Sequence, residues 1–255
     1  MTGATKLTVC TGWTPEGWIS YGRKFWESFA RFWPQSVDLL VYGEDGRTPA
    51  GGGPNMRMRP LADCPGAAEF RERWKGDARA TGRDVKPTWK PARRAAGYNF
   101  RFDAWKFAPQ GFIPLQAYED SQSEFLIWLD GDVITHAPVT EKMITCLLPP
   151  DKDIGFLGRG DKHPDIAFQI YRRGPIALSF LEDFADMYAT DELFDLKEWH
   201  SAFIWKHCLG KYAQFSYDLT PGGEGHVWHQ SPLAQWGDHL KGQRKAAGRS
   251  PERRR

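Results

Sequence analysis

The run Phe125-Leu126-Ile127-Trp128-Leu129 ends directly on Asp130-Gly131-Asp132, and no other junction in the chain constrains the fold as strongly. Five apolar residues without alternation describe a strand buried on both faces, as in the middle of a parallel sheet. In open α/β sheets, ligands bind at the carboxyl ends of such strands. Two carboxylates spaced i, i+2 across a glycine can both face one divalent cation. Hard cations such as Mg2+ and Mn2+ take carboxylate oxygens and can hold a diphosphate at the same time. The junction points to a metal–diphosphate site. Asp-Gly is also a hairpin dipeptide, so an internal control is useful. Asp151-Lys152-Asp153 repeats the spacing, but it follows Pro149-Pro150 rather than a strand and reads as a solvated turn.

The flanking pattern is that of an α/β protein. Residues 7–10 read as a first strand and Thr11-Gly12-Trp13-Thr14 as the loop leaving it. Residues 21–33 place Tyr21, Phe25, Phe29 and Phe32 at helical spacing, with Pro34 as the stop. Residues 37–42 form a second strand. Strand, helix and strand in so short a span make a βαβ unit and imply a parallel sheet. Residues 98–107 read as a helix ending at Pro109, residues 154–157 and 166–171 as strands, and residues 175–188 and 199–209 as helices. Between these lies a basic, Gly- and Pro-rich insert at about residues 47–97, read as irregular with one short helix near residues 67–75. The expected organisation is one domain over residues 1–245 and a disordered basic tail over 246–255.

Composition narrows the class. A chain of 255 residues with 41% apolar and 26% charged content is ordinary for a globular domain. No stretch of about 18 apolar residues exists, so no membrane span is expected. The four cysteines form no Cys-x-x-Cys pair, and no signal peptide is visible, which fits a reduced, cytoplasmic setting. The net charge of +2 conceals strong patterning. Residues 241–255 carry seven basic side chains against Glu252, and residues 71–101 carry ten against three acidic ones. Such segments on an otherwise acidic chain fit either a polyanionic partner or a solvated loop and tail.

Near the end, His239-Leu240-Lys241-Gly242-Gln243-Arg244-Lys245 supplies complementary chemistry. An imidazole can complete the coordination of Mn2+, a glycine lets backbone approach a phosphate, and the cations can neutralise a departing diphosphate. Together, Asp130-Gly131-Asp132 after a strand and His-x-x-Gly-x-x-Lys resemble the GT-A glycosyltransferases, with the glycogenin-like retaining members of family 8 as the nearest pattern. The resemblance implies a GT-A (Rossmann-like) mixed sheet flanked by helices. It implies Asp130, Asp132 and His239 as ligands of Mn2+ (or Mg2+), with Lys241, Gly242 and Lys245 on the donor diphosphate. Lys245 is followed by Ala246-Ala247 where the family has Pro-Trp, and the insert has no counterpart there. Residues 231–245 also resemble glycosyltransferase-like proteins of phage and bacteria.

Further roles come from the same resemblance. Thr11, Trp13 and Tyr21 would hold the nucleotide base, although core packing accounts for Trp13 equally well. Asp103 and Lys106 would meet ribose and sugar hydroxyls, or form an ordinary helical ion pair. Gln169 would lie beneath the transferred sugar. Glu198 would face the acceptor or sugar, and either Glu198 or His200 would be the base if the enzyme inverts. Trp199, Arg93 and Arg94 fall on the acceptor side. The expected activity is metal-dependent transfer of a sugar from a nucleotide-sugar, UDP-linked and with retention, to a hydroxyl. The hydroxymethyl group of a modified base in DNA is one acceptor, reached through the basic loop and tail. Other readings are a saccharide or protein acceptor, a nucleotidyltransferase, and a non-catalytic DNA-binding module.

Overall fold

The computed structural model describes residues 7–44, 49–83 and 97–253. Its strands are β1 (Leu7–Trp13), β2 (Val37–Gly43), β3 (Met56–Pro60), β4 (Phe125–Leu129), β5 (Val133–Thr135), β6 (Ile154–Leu157), β7 (Asp165–Arg172), β8 (Ser216–Asp218) and β9 (Gly237–His239). Seven of them form one mixed sheet in the order β3-β2-β1-β4-β7-β6-β8. Strands β3, β2, β1 and β4 are parallel, β7 is antiparallel to both β4 and β6, and β8 is parallel to β6. The remaining two, β5 and β9, make a separate antiparallel ribbon.

Strand side chains alternate between faces, and here the alternation feeds two cores. Leu126 and Trp128 of β4 join Cys10, Leu40 and Tyr42 against the helices Pro65–Arg73, Ala104–Asp120, Pro175–Ala189 and Ser201–Leu209. Phe125, Ile127 and Leu129 join Leu7, Val9 and Leu39 on the opposite face, against the helix Arg23–Phe32 with Trp228 and Trp236. Each fully buried large apolar side chain in these layers stabilises by roughly 1.5–3 kcal/mol. All five residues of β4 are buried, as its composition requires.

Several expectations are corrected. The helix read as ending at Pro109 runs as Ala104–Asp120 through both Pro109 and Pro114. Proline there costs a backbone hydrogen bond. Phe112, Ile113, Ala117 and Tyr118 are buried beyond it, and that packing outweighs the local preference. The insert is partly regular, because β3 pairs in parallel with β2 and the helix Pro65–Arg73 covers the sheet. Strand β1 continues through Trp13, so the segment read as a loop leaving the sheet at Thr11 is still in it. The tail read as disordered from Ala246 packs over its described residues. The backbone N–H of Ser250 donates to the buried Asp238 carboxylate at 2.7 Å, and Ser250 is buried. Asp238 also meets His229 at 3.1 Å through its other oxygen, so each oxygen of this buried carboxylate has a partner and one of them ties down the tail. Among the described residues, no helix is long and apolar enough to cross a membrane.

Candidate active site

Asp130 is delivered by β4 and pinned from several directions. Its backbone N–H donates to the Ala167 carbonyl of β7 at 2.9 Å. Its Oδ1 accepts from Trp128 Nε1 at 2.7 Å and from Gln110 Nε2 at 3.2 Å. Gln110 in turn donates to the Ile166 carbonyl at 3.1 Å and accepts from Ser201 Oγ at 2.6 Å. The carboxylate is fixed by two helices and the sheet together. Burial, and then the neighbouring charge of Asp132, raise Asp130 to about 7.

The β5–β9 ribbon supplies the rest. Val133 lies opposite His239 in its register, and the Leu240 N–H donates to the Asp132 carbonyl at 3.0 Å. Strand β5 is anchored in turn, because the Thr135 N–H donates to Ser28 Oγ at 3.1 Å and Trp33 Nε1 donates to Thr135 Oγ1 at 2.9 Å. The ribbon sets His239 Nε2 3.3 Å from Asp132 Oδ1, while Lys245 Nζ lies 2.9 Å from Asp132 Oδ2. Burial opposes the charge on Asp132, but His239 and Lys245 hold it down at about 2. On the other side of the ring, His239 Nδ1 faces Asp165 Oδ1 at 3.7 Å, and Lys241 Nζ lies 3.5 Å from Asp165 Oδ2. Burial alone would lower His239, yet the flanking Asp165 and Asp132 raise it to about 10. Asp165 sits far below the usual carboxylate range: burial works against this, and His239, Lys241 and the Ala167 N–H prevail.

These residues fit a divalent cation. One ligand atom each from Asp130, Asp132 and His239 lie within 4.8 Å of one another. Asp132 Oδ1 is buried without a hydrogen-bond partner. Two carboxylates and an imidazole suit Mn2+ by donor type.

A cleft of about 870 Å³ opens over this group. Gly12, Tyr21 and Gly131 line it on the β1 side. A Cβ on Gly131 would meet the rings of Trp13 and Tyr21 at 3.2 Å, so the turn between the aspartates is closely covered. Gly242 takes φ +64°, which suits glycine, at the point where the chain leaves His239 for Lys245. On the far wall, Glu198 binds Arg101 Nη1 at 2.9 Å, His200 Nε2 at 2.9 Å and His163 Nε2 at 3.4 Å. Burial lowers His200 to about 4 against the pull of Glu198, and it lowers His163 as well.

Of the residues singled out in the sequence, Asp130, Asp132, His239, Tyr21, Lys106, Lys241, Gly242, Lys245 and His200 all line this cleft. Glu198 lies behind His200. Five others do not line it. Thr11 and Trp13 are buried in β1, with the Trp13 ring 5.6 Å from Trp18 and 5.9 Å from Phe25. Asp103 caps the helix Ala104–Asp120 by accepting from the Lys106 N–H at 3.1 Å. Gln169 is fully buried and donates to the Ile166 carbonyl at 3.0 Å. Trp199 packs edge-on to Phe102 and Phe194, each at 5.0 Å. Arg93 and Arg94 lie outside the described residues.

Sequence reasoning missed Gln110, Trp128, Asp165 and His163. The one available signal was Asp165, a charged residue opening an apolar strand. The basic segments also look different in three dimensions. Arg71 pairs with Glu44 and lies 3.7 Å from the centre of the Trp105 ring. Arg73 pairs with Asp191 at 3.1 Å, and Arg244 pairs with Glu252. Much of the clustered charge is thus engaged internally among the described residues.

No protein-family model matches the sequence, and no curated protein matches it. Among solved structures, the chain resembles the apo structure of the WbbM bifunctional glycosyltransferase, with a TM-score of 0.52 at 9% identity. The likeness covers 95% of this chain and 47% of that one, so this chain spans about half the length of the structure it matches. At that identity the likeness is one of architecture. The chain has an α/β, GT-A (Rossmann-like) fold, a mixed sheet flanked by helices.

Proposed function

We propose that this chain is a metal-dependent glycosyltransferase that moves a sugar from a nucleotide-diphosphate donor, UDP-linked, to a hydroxyl acceptor with retention. The observation that carries this reading is the convergence of Asp130, Asp132 and His239 at the carboxyl edge of the sheet, beneath the cleft. A divalent cation held by these three would neutralise charge on the leaving diphosphate as a Lewis acid.

The chain's own residues account for the remaining requirements. Lys241 and Lys245, which rest on Asp165 and Asp132, would meet phosphate oxygens. Gly242 leaves its backbone open to the same group. Tyr21, with Lys245 Nζ 4.3 Å from its ring centre, offers a face to the nucleotide. Trp128, Gln110 and Ser201 keep Asp130 oriented throughout. Retention is supported by the state of the far wall. An imidazole lowered to about 4 is a weak base at neutral pH. Glu198 is held by Arg101 and His200. These groups orient an acceptor hydroxyl better than they strip its proton. The acceptor is proposed as a hydroxyl without a DNA assignment, since many of the described cations that would grip a phosphate backbone are paired internally.

Incubation with a panel of nucleotide-sugars and Mn2+ tests the reading. Release of free nucleoside diphosphate from a UDP-sugar, lost in Asp132→Ala, is the expected result. No release from any donor with Mn2+ or Mg2+ overturns it. Release of pyrophosphate from a nucleoside triphosphate would favour a nucleotidyltransferase instead.

A further inference from the structure

We propose that Asp165 is the positioning residue of the metal centre: its carboxylate holds His239 as the tautomer protonated on Nδ1, leaving the Nε2 lone pair for the cation. The inference rests on the cation site proposed above and adds a residue that the two sequence motifs do not contain.

His239 is only 3% exposed, so its two ring nitrogens depend on protein partners. Nε2 faces Asp132 Oδ1 at 3.3 Å, and a ring nitrogen of His239 lies within 4.8 Å of ligand oxygens of both Asp130 and Asp132. Nδ1 has no hydrogen-bond partner, and Asp165 Oδ1 is the anion facing it at 3.7 Å. That gap exceeds a good hydrogen bond by under an ångström. A neutral imidazole carries one N–H and one lone pair, and the partner of the first nitrogen decides which role the second takes. With carboxylates on both sides the free ring is an imidazolium; a cation that takes Nε2 displaces that proton, and the carboxylate of Asp165, which cannot donate, keeps the one on Nδ1.

Asp165 is itself well held. Its Oδ1 accepts from the Ala167 N–H at 3.3 Å, Lys241 Nζ lies 3.5 Å from its Oδ2, and it is 6% exposed. The Ala167 carbonyl accepts from the Asp130 N–H at 2.9 Å. The opening turn of β7 therefore braces two of the three ligands at once, Asp130 through the main chain and His239 through the Asp165 side chain. His226, whose ring centre lies 5.7 Å from that of His239, points its Nε2 at Ser250 Oγ at 3.4 Å and leaves this role to Asp165.

The test measures cation affinity without any sugar donor. Mn2+ binding to the whole protein is titrated for wild type, Asp165→Asn, Asp165→Ala and Asp132→Ala, with circular dichroism to verify folding. Outer partners of metal-ligating histidines are worth about 10–100-fold in affinity, so both Asp165 variants should weaken Mn2+ by that factor, while Asp132→Ala abolishes binding. In the Zn2+-loaded wild type, nitrogen-15 spectra should show His239 protonated on Nδ1. An Asp165→Asn affinity within twofold of wild type overturns the proposal while leaving the cation site intact. So does a proton on Nε2, which decides the matter even if the variants misfold. Loss in Asp165→Ala as complete as in Asp132→Ala would make Asp165 a direct ligand and overturn the positioning role. A wild type that binds no Mn2+ overturns this inference and the cation site together.

Discussion

Asp130-Gly131-Asp132 and Asp151-Lys152-Asp153 share a spacing and lie twenty-one residues apart, yet their surroundings have almost nothing in common. Asp151 has a side chain 74% exposed and meets Lys152 Nζ at 3.6 Å. Lys152 also donates to the Gln214 carbonyl at 2.7 Å, as a surface lysine can. At the first copy, the carboxylates are half-buried, one raised to about 7 and the other lowered to about 2. The spacing supplies none of this. A strand buried on both faces carries the first pair out of water, and a ribbon formed with residues more than a hundred positions later brings in the imidazole. Two carboxylates acquire chemistry when desolvation and fixed partners split their behaviour.

Variants can break or sharpen that contrast, and the largest effect belongs to the first pair. Asp132→Ala should reduce Mn2+-dependent nucleotide release to background, a loss of about 5 kcal/mol or more in transition-state stabilisation. Trp236→Ala attacks the ribbon instead. Trp236 is 1% exposed and stacks edge-on to Trp33 at 5.4 Å and Trp228 at 5.8 Å. Its truncation should cost about 3–5 kcal/mol in denaturant unfolding.

A third effect depends on pH. His200 is lowered to about 4 in the folded protein by burial, so the unfolded chain binds more protons between about pH 4 and 6.5. Stability is fully present above that window and declines as pH falls through it, by on the order of 3 kcal/mol for one such group. His226 is lowered to about 4 as well, chiefly by burial, so His200→Gln should reduce the slope of unfolding free energy against pH without removing it. Gln110→Ala leaves Asp130 with one donor fewer and Ser201 without its acceptor. A cost of about 1–3 kcal/mol in thermal unfolding is expected. Asp151→Ala and Asp153→Ala complete the series at the bottom. Stability should stay within about 0.5 kcal/mol of wild type, and nucleotide release should be unchanged. A marked loss of release there would refute the contrast itself.

The sequence was legible where local pattern and tertiary role agree. An unbroken apolar run such as β4 can only be a central strand, and the residues after it inherit the sheet edge. His239 was legible because its imidazole, glycine and lysine follow one another. The ribbon that brings His239 to Asp132 was not, since three-residue strands such as Val133–Thr135 are too short to show a period. Helix Ala104–Asp120 was cut short at Pro109 because a proline is a strong local signal and the packing that overrides it is not local. Trp13 and Trp199 show a different blindness. Tryptophan suits a cleft as well as a core, and only coordinates separate the two. Gln110 and Asp165 were hidden because their importance lies in what they hold, and a polar residue acting through another leaves no motif.

The ribbon also dictates an order of events. The large sheet draws its final strand from residues 216–218, so a ribosome that has released that far has supplied every strand of the scaffold. The proposed centre is complete only when residues 237–239 emerge and pair with β5. A chain clipped just ahead of that point would keep every strand of the large sheet while lacking His239, and with it one of the three ligands of the proposed cation site.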